Sequence, residues 1–442
     1  MPTEPNIPFT AHTSAAVGET YYYKVHKSGL PIYVIRKPFC TSYAAVGVRY
    51  GSIHSRFGTS DSPMASVPDG IAHYLEHKMF ENEDGVDTFA RFAQTGASAN
   101  AFTSFAMTSY LFSCTEHFSE SLKILLESVT HPYFTEQNVE KERGIIGQEI
   151  RMGKDTPDNA LLFSLLAAMY EKHPVRLEVA GSEASIADIT PALLYRCYHT
   201  FYNLHNMALF VCGDVTPQEV EACADAVLHP APPFSVQTEF PEEAPQVARP
   251  RTECSMQIAS PLFAIGIKDT DIPAEPTARM RKKAAMEIIS ELLFGESGDL
   301  YNGLYREHLL SGPFGSLVEH NRAFSFLTAD GESDDPDAVY RAFLQKAEQL
   351  RQDGIPEEDF LRCRRSLYAQ FIMDFDSPAE TVNTVMDYVM DGCDALQYAE
   401  IAGSITREET EAVLRSLLSE SHFALSIVRP VPSQNSAETS AK

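Results

Sequence analysis

Basic residues are scarce in this chain. Its 442 residues carry 35 Lys and Arg against 61 Asp and Glu, a formal net charge of −26 at pH 7. Affinity for nucleic acid comes mainly from clustered Lys and Arg that neutralise phosphates, so a nucleic-acid-binding protein is excluded. The acidic excess favours cationic or neutral partners and says nothing about fold. Long apolar runs are missing too. No window approaches about 18 uninterrupted apolar residues, which argues against a membrane span. The opening Met1-Pro2-Thr3-Glu4-Pro5 lacks the positive region and apolar run of a secretory signal. The 8 cysteines contain no C-x-x-C pair, and the nearest two, Cys212 and Cys223, match neither a zinc knuckle nor a redox motif. Idle thiols in a reducing compartment are the plain reading, and the cytoplasm is the expected location. Neither a G-x-S-x-G nucleophile elbow nor a G-x-x-x-x-G-K-[ST] phosphate loop occurs.

What is present is an ordinary globular composition, 44% hydrophobic and 22% charged, with length enough for two or three domains. Residues 229–251 carry Pro230, Pro232, Pro233, Pro241, Pro245 and Pro250, a density that neither a helix nor a central strand tolerates. On each side of this linker the same order of patterns appears. Before it, strands are predicted over Ile32–Arg36, Ala44–Tyr50 and Thr103–Cys114, helices over Gly70–Phe80, 118–129, 136–152 and 191–202, then a strand over Met207–Cys212. After it come a strand (256–267), a helix (276–294), strands (314–330), helices near 336–352, 356–374, 379–391 and 406–418, and a strand over Phe423–Val428. The segments Phe134–Arg143 and Ile355–Arg364 align without a gap at an offset of 221 residues. The architecture expected is α+β: two homologous repeats, 1–228 and 252–442, joined by the Pro-rich linker 229–251. The polar ends, roughly 1–17 and 431–442, are expected to fray.

The sharpest motif is His73-Tyr74-Leu75-Glu76-His77. Positions i and i+4 of a helix lie about 40° apart around its axis, so both imidazoles can face one metal ion. Glu76, at i+3 from His73, projects from the same face and is placed to polarise a water rather than to complete the ligand set. Ile71, Tyr74, Leu75 and Met79 would seat the helix on a core. A catalytic zinc needs a third protein ligand and an open position. The helix near 136–152 offers Glu140, Glu142 and Glu149. Glu142 and Glu149 share a face two turns apart, but spacing alone does not choose among the three.

The stretch Val67-Pro-Asp-Gly-Ile-Ala-His-Tyr-Leu-Glu-His-Lys-Met-Phe80 resembles the signature of the pitrilysin/insulinase family of inverted-motif zinc peptidases. Gly96-Ala-Ser-Ala-Asn-Ala-Phe-Thr103 and Val139–Ile150 are similar to two further segments of that family. The wording of Pro68–Phe80, Ala97–Phe105 and Leu293–Gly298 is similar to its bacterial YmfH-like subgroup. The resemblance implies two α/β-roll repeats, each an antiparallel sheet packed with helices, together forming half of a clamshell. It implies Zn2+ bound by His73, His77 and Glu149, with Glu142 orienting the site and Glu76 as the catalytic base. Asn100 and Ala101 would hold an extended peptide as an added strand.

The second repeat departs from this pattern. Glu287, Ser290 and Glu291 align with His73, Glu76 and His77, and Gln370 aligns with Glu149, so this half should bind no metal. In active members of the family this chain resembles, the second-half region can carry an Arg followed seven residues later by a Tyr, which grip the substrate near the scissile bond. Here Arg306 is followed by Pro313 and Phe314, which has no hydroxyl. The resemblance therefore implies a zinc endopeptidase working in a homodimer or in a heterodimer with a related zinc-less chain. The competing reading is a non-catalytic zinc-containing scaffold or peptide-binding subunit. His117, His131, His173 and His199 lack ligand spacing and are read as capping or core residues.

Overall fold

A computed structural model describes residues 8–60, 62–233 and 235–432. The chain divides into two compact units. The first is drawn from residues 1–150, 178–240 and 369–400, the second from 151–177, 241–368 and 401–442.

Unit one is built on a seven-stranded sheet of β1 (Thr10–Ser14), β2 (Glu19–Val25), β3 (Pro31–Arg36), β4 (Ser42–Val48), β7 (Ser98–Thr103), β8 (Thr108–Cys114) and β9 (Met207–Gly213). Their order is β1-β2-β3-β9-β4-β8-β7. A three-stranded sheet joins β5 (Arg56–Thr59) to β6 (Ser62–Ser66) and β10 (Val236–Thr238). Within the Pro-rich segment, β10 is a three-residue edge strand, and the last residue, Arg251, opens β11 (Arg251–Met256). The helices of this unit are α1 (Ile71–Lys78), α2 (Thr88–Thr95), α3 (Phe118–Thr130), α4 (Glu136–Lys154, up to residue 150), α6 (Glu183–Ala187), α7 (Pro191–Phe201), α8 (Pro217–Val227), α13 (Pro378–Met390) and most of α14 (Ala395–Ser404).

Unit two has a five-stranded sheet of β11 (Arg251–Met256), β12 (Leu262–Asp269), β13 (Phe314–His320), β14 (Ser325–Glu332) and β15 (Phe423–Pro430), in the order β11-β15-β12-β14-β13. Its helices are α5 (Pro157–Met169), α9 (Pro276–Phe294), α10 (Asp299–Arg306), α11 (Pro336–Asp353), most of α12 (Glu357–Met373) and α15 (Arg407–Leu417). The two sheets repeat one plan. The run β3-β9-β4-β8-β7 has one parallel pair followed by three antiparallel pairs. The run β11-β15-β12-β14-β13 has the same sequence of pairings. Each sheet is therefore antiparallel except at β3–β9 or β11–β15.

The compact units do not coincide with the contiguous ranges 1–228 and 252–442. Helix α5, from the first range, packs on β12, β15 and β11, while α13, from the second, packs on β4 and β9. A glycine lies under each. A Cβ on Gly266 of β12 would lie 2.6 Å from Met169 Sδ, and one on Gly47 of β4 would lie 3.1 Å from Met390. The absent side chain lets the helix settle against the strand. Because α13 covers one face of β4 and α3 approaches from elsewhere, β4 is buried along Tyr43–Val48 and shows no polar alternation.

Three local expectations are corrected. Thr103–Cys114 is the end of β7, a turn and β8. Ser104 makes that turn with its amide on Met107 O at 2.8 Å and its hydroxyl on the same carbonyl at 3.1 Å, so no Gly or Pro marks it. The strand expected over 256–267 is two strands, because Pro261 has no amide to continue a ladder. Thr10–Ser14 does not fray but pairs antiparallel with β2. The remaining end residues, 1–7 and 433–442, lie outside the described residues. No helix among those described is long and apolar enough to cross a membrane.

Candidate metal centre

Gly70 begins α1 with φ 88°, and a Cβ there would lie 2.3 Å from Ala180 O. Left-handed backbone and a close carbonyl both demand glycine. From that start Ile71, Ala72, Tyr74 and Leu75 are buried, and α1 packs on β7, β8 and α7. His73 and His77, one turn apart, stand together with ring centroids 4.6 Å apart at 60°. Helix α4 buries Val139, Ile146 and Ile150, which leaves Glu142 and Glu149 on a neighbouring face two turns apart.

These two helices bring three donors together. His77 Nε2 lies 3.5 Å and His73 Nε2 3.9 Å from Glu149 Oε2. One donor atom from each of the three residues falls within 4.8 Å of the others, the one such group among the described residues. Glu142 Oε1 lies 3.1 Å from His77 Nδ1. With a proton on Nδ1 shared with Glu142, Nε2, which faces Glu149, keeps the lone pair that a metal ligand needs. Two imidazoles and a carboxylate with an exposed third member (the Glu149 side chain is 42% exposed) are a donor set that fits a zinc ion with an open position.

Electrostatics separate the two histidines. Burial, with the neighbouring His77 second, pushes His73 down to about 4, so it is neutral at pH 7. Burial also opposes charge on His77, but its hydrogen bond to Glu142 and the nearby Glu149 and Glu76 carry its pKa above the ordinary value. Glu142 is correspondingly held low by His77 and Lys78, against the opposing effect of its own burial. Glu76 is buried on the same helix. Burial raises its pKa, and a 2.7 Å hydrogen bond from the Thr103 hydroxyl to Oε2 moderates the rise.

Asn100 and Ala101 lie on β7, the edge strand beside α1, where Asn100 is exposed and its Oδ1 accepts from the Ala101 amide at 2.9 Å. Glu140, the remaining candidate carboxylate of α4, instead pairs with Arg143. Two residues escaped the sequence reading. Thr103 ends the Asn-Ala-Phe-Thr strand, on the same side as Ala101. Lys78, with a fully buried side chain, follows the second histidine directly. A lysine inside an otherwise apolar face was the available signal. In unit two, Ser290 Oγ bonds Ser316 Oγ at 2.8 Å, and Glu291 lies 3.9 Å from Arg362. Arg306 is exposed and donates to Asn302 O, while Phe314 packs with Phe263, Phe294 and Tyr301.

A paired α/β fold with an H-x-x-E-H helix facing an acidic helix defines the class of inverted-motif metallopeptidases. Sequence profiles agree: residues 38–183 match that of insulinase (peptidase family M16), and 188–367 match the peptidase M16 inactive domain. The chain belongs to this family. It is 36% identical over 423 residues to the uncharacterized zinc protease YmfH of Bacillus subtilis, covering 93% of this chain and 97% of that one. Among solved structures, a putative M16-like peptidase from Alicyclobacillus acidocaldarius superposes with a TM-score of 0.89 at 31% identity, covering 97% of this chain and all of the other. Pitrilysin shares the fold at a TM-score of 0.73 and 16% identity, with 96% of this chain covering 47% of that larger one.

Proposed function

We propose that this protein is a zinc-dependent endopeptidase that hydrolyses peptides held in extended form within a chamber completed by a second, related chain. The convergence of His73, His77 and Glu149, with Glu76 beside them, carries this reading. Zinc, when bound, would act as a Lewis acid that acidifies water and stabilises negative charge on a carbonyl oxygen. His73 and His77 would hold it through Nε2 and Glu149 through its carboxylate, while Glu142 keeps the His77 ring in place. Glu76 would take a proton from the attacking water and return it to the departing amine nitrogen. The edge of β7 at Asn100 and Ala101 would pair with the substrate backbone.

The exposed Arg306 and the hydroxyl-free Phe314 support a zinc-less relative that supplies the substrate grip, since a homodimer would lack that grip altogether. They also favour a second reading, a zinc-containing scaffold or peptide-binding subunit of a two-chain complex. The buried Glu76 weighs against it, since a purely structural site needs no base. The proposed compartment is the cytoplasm, supported by eight thiols without a paired motif.

Zinc stoichiometry is the first test. One zinc per chain is expected in the wild type and far less in His77→Ala and Glu149→Gln. A wild type that takes up none when supplied with zinc overturns the proposal. Peptide cleavage, assayed with and without a co-purified relative, then separates enzyme from scaffold.

A further inference from the structure

The donors of the metal centre lie on two different helices, so the spacing of α1 and α4 decides whether they converge. Two side chains of α1 reach the first turns of α4. The Tyr74 hydroxyl donates to Val139 O, and Lys78 Nζ donates to Asn138 O at 3.1 Å. The Lys78 side chain has no exposed surface, and its ammonium also lies 2.8 Å from Glu81 Oε2 and 3.8 Å from Glu142 Oε2. Three donors thus face three oxygens. The Glu142 carboxylate has His77 Nδ1 at 3.1 Å from Oε1 and the Lys78 ammonium at 3.8 Å from Oε2, the second an ion pair without a hydrogen bond. Histidine alone fixes one oxygen and leaves the carboxylate free to turn about it. A second, buried cation on the next residue of the same helix attracts its other oxygen.

We propose that Lys78 is a positioning residue of the metal centre: as the buried cation facing the far oxygen of Glu142, it keeps that carboxylate turned to His77 and so aims His77 Nε2 at the point shared with His73 and Glu149. This inference rests on the zinc-binding reading above. Lys78 touches neither substrate nor metal and acts through Glu142.

The test compares zinc dissociation constants, by chelator competition, for the wild type, Lys78→Met, Glu142→Gln and the double variant. Folding is checked by thermal denaturation. Lys78→Met is expected to weaken zinc about tenfold, within the range seen when partners of metal ligands are lost. The double variant should bind no more weakly than Glu142→Gln, because one path connects both residues to His77. Cobalt-loaded Lys78→Met and Glu142→Gln should show ligand-field bands shifted from the wild type, a change that mere loss of stability does not produce. A wild type that binds no zinc defeats the zinc-binding reading and this inference with it. A wild type that binds tightly, with Lys78→Met equal to it, or with losses that multiply in the double variant, overturns the role of Lys78 alone. Where Lys78→Met does not fold because it strands a buried carboxylate, the double variant decides. Folding restored by Glu142→Gln supports the coupling, and folding still lost overturns it.

Discussion

At Glu76, burial and a hydrogen bond pull in opposite directions. The protein interior disfavours its charge, while the Thr103 hydroxyl at 2.7 Å favours it and fixes where the other oxygen points. Two predictions belong to this scale. Glu76→Gln keeps the size and removes the base, so zinc content should match the wild type while kcat falls by about 10²–10⁴-fold. Turnover persisting in that variant would show that another group moves the proton. Thr103→Val removes the donor without changing the donor cluster. A hydrogen bond to a charged group is worth about 1.5–3 kcal/mol. Mispositioning the base should therefore cost about tenfold or more in kcat with zinc affinity unchanged. Equal loss of zinc would instead assign Thr103 to packing of α1. The motif of His73, Glu76 and His77 was legible in the sequence because helical spacing is a local property. The choice of Glu149 over Glu140 needed the resemblance, and Thr103 and Lys78 emerged only when distant segments met.

Among the elements, the exchanged helices α5 and α13 do the most to bind each sheet to the other half of the chain. Each was foreshadowed differently. The range 379–391 was expected to be helical, but its place on β4 and β9 was not, since nothing local says which sheet a helix will cover. Helix α5 was missed although Thr156-Pro157 is a legible start, and α8 was missed despite the capping box of Thr216 and Glu219. Two expectations follow. A fragment of residues 1–228 lacks α13, whose Val382, Val385 and Met386 are fully buried. That fragment should bind hydrophobic dye and unfold without cooperativity, and co-expression with the rest of the chain should restore a folded species. A monomeric, cooperatively unfolding fragment would show that the exchange is dispensable. Gly266→Val, placed 2.6 Å from Met169 Sδ and 3.1 Å from Leu165 Cδ1, overpacks the seat of α5 and should lower stability by about 1–3 kcal/mol in urea unfolding.

For the molecule as a whole, buried histidines that fold without charge contribute to the loss of stability in mild acid. His173 caps a short 3-10 turn with Nδ1 on the Val175 amide, and His320 Nδ1 lies 2.7 Å from Ser325 Oγ. Burial pushes them down to about 4 and about 3, with Lys282, Lys283 and Arg279 adding to the shift at His320. An unfolded imidazole takes up its proton near pH 6.5, so below that pH the unfolded chain binds more protons than the folded one. Stability should be highest above pH 6.5 and fall as the pH drops, by about 2 kcal/mol for each histidine at pH 5. Urea midpoints at pH 7.5 and 5.0 measure this, and the double variant His173→Gln, His320→Gln should have a flatter profile. An unchanged wild-type midpoint would contradict it.

Sequence by itself determined what depends on near neighbours and on composition. It carried the α+β repeat with its internal offset, the Pro-rich break, and the i, i+4 histidines with their glutamate. Tertiary structure alone decided which helix covers which sheet, which carboxylate faces both imidazoles, and which buried cation and hydroxyl hold the acidic groups in place. Those choices turn on contacts between segments tens to hundreds of residues apart, such as Lys78 with Asn138 and Arg49 with Met390 O. Burial converts such contacts into fixed geometry, because a polar group removed from water must keep its partner.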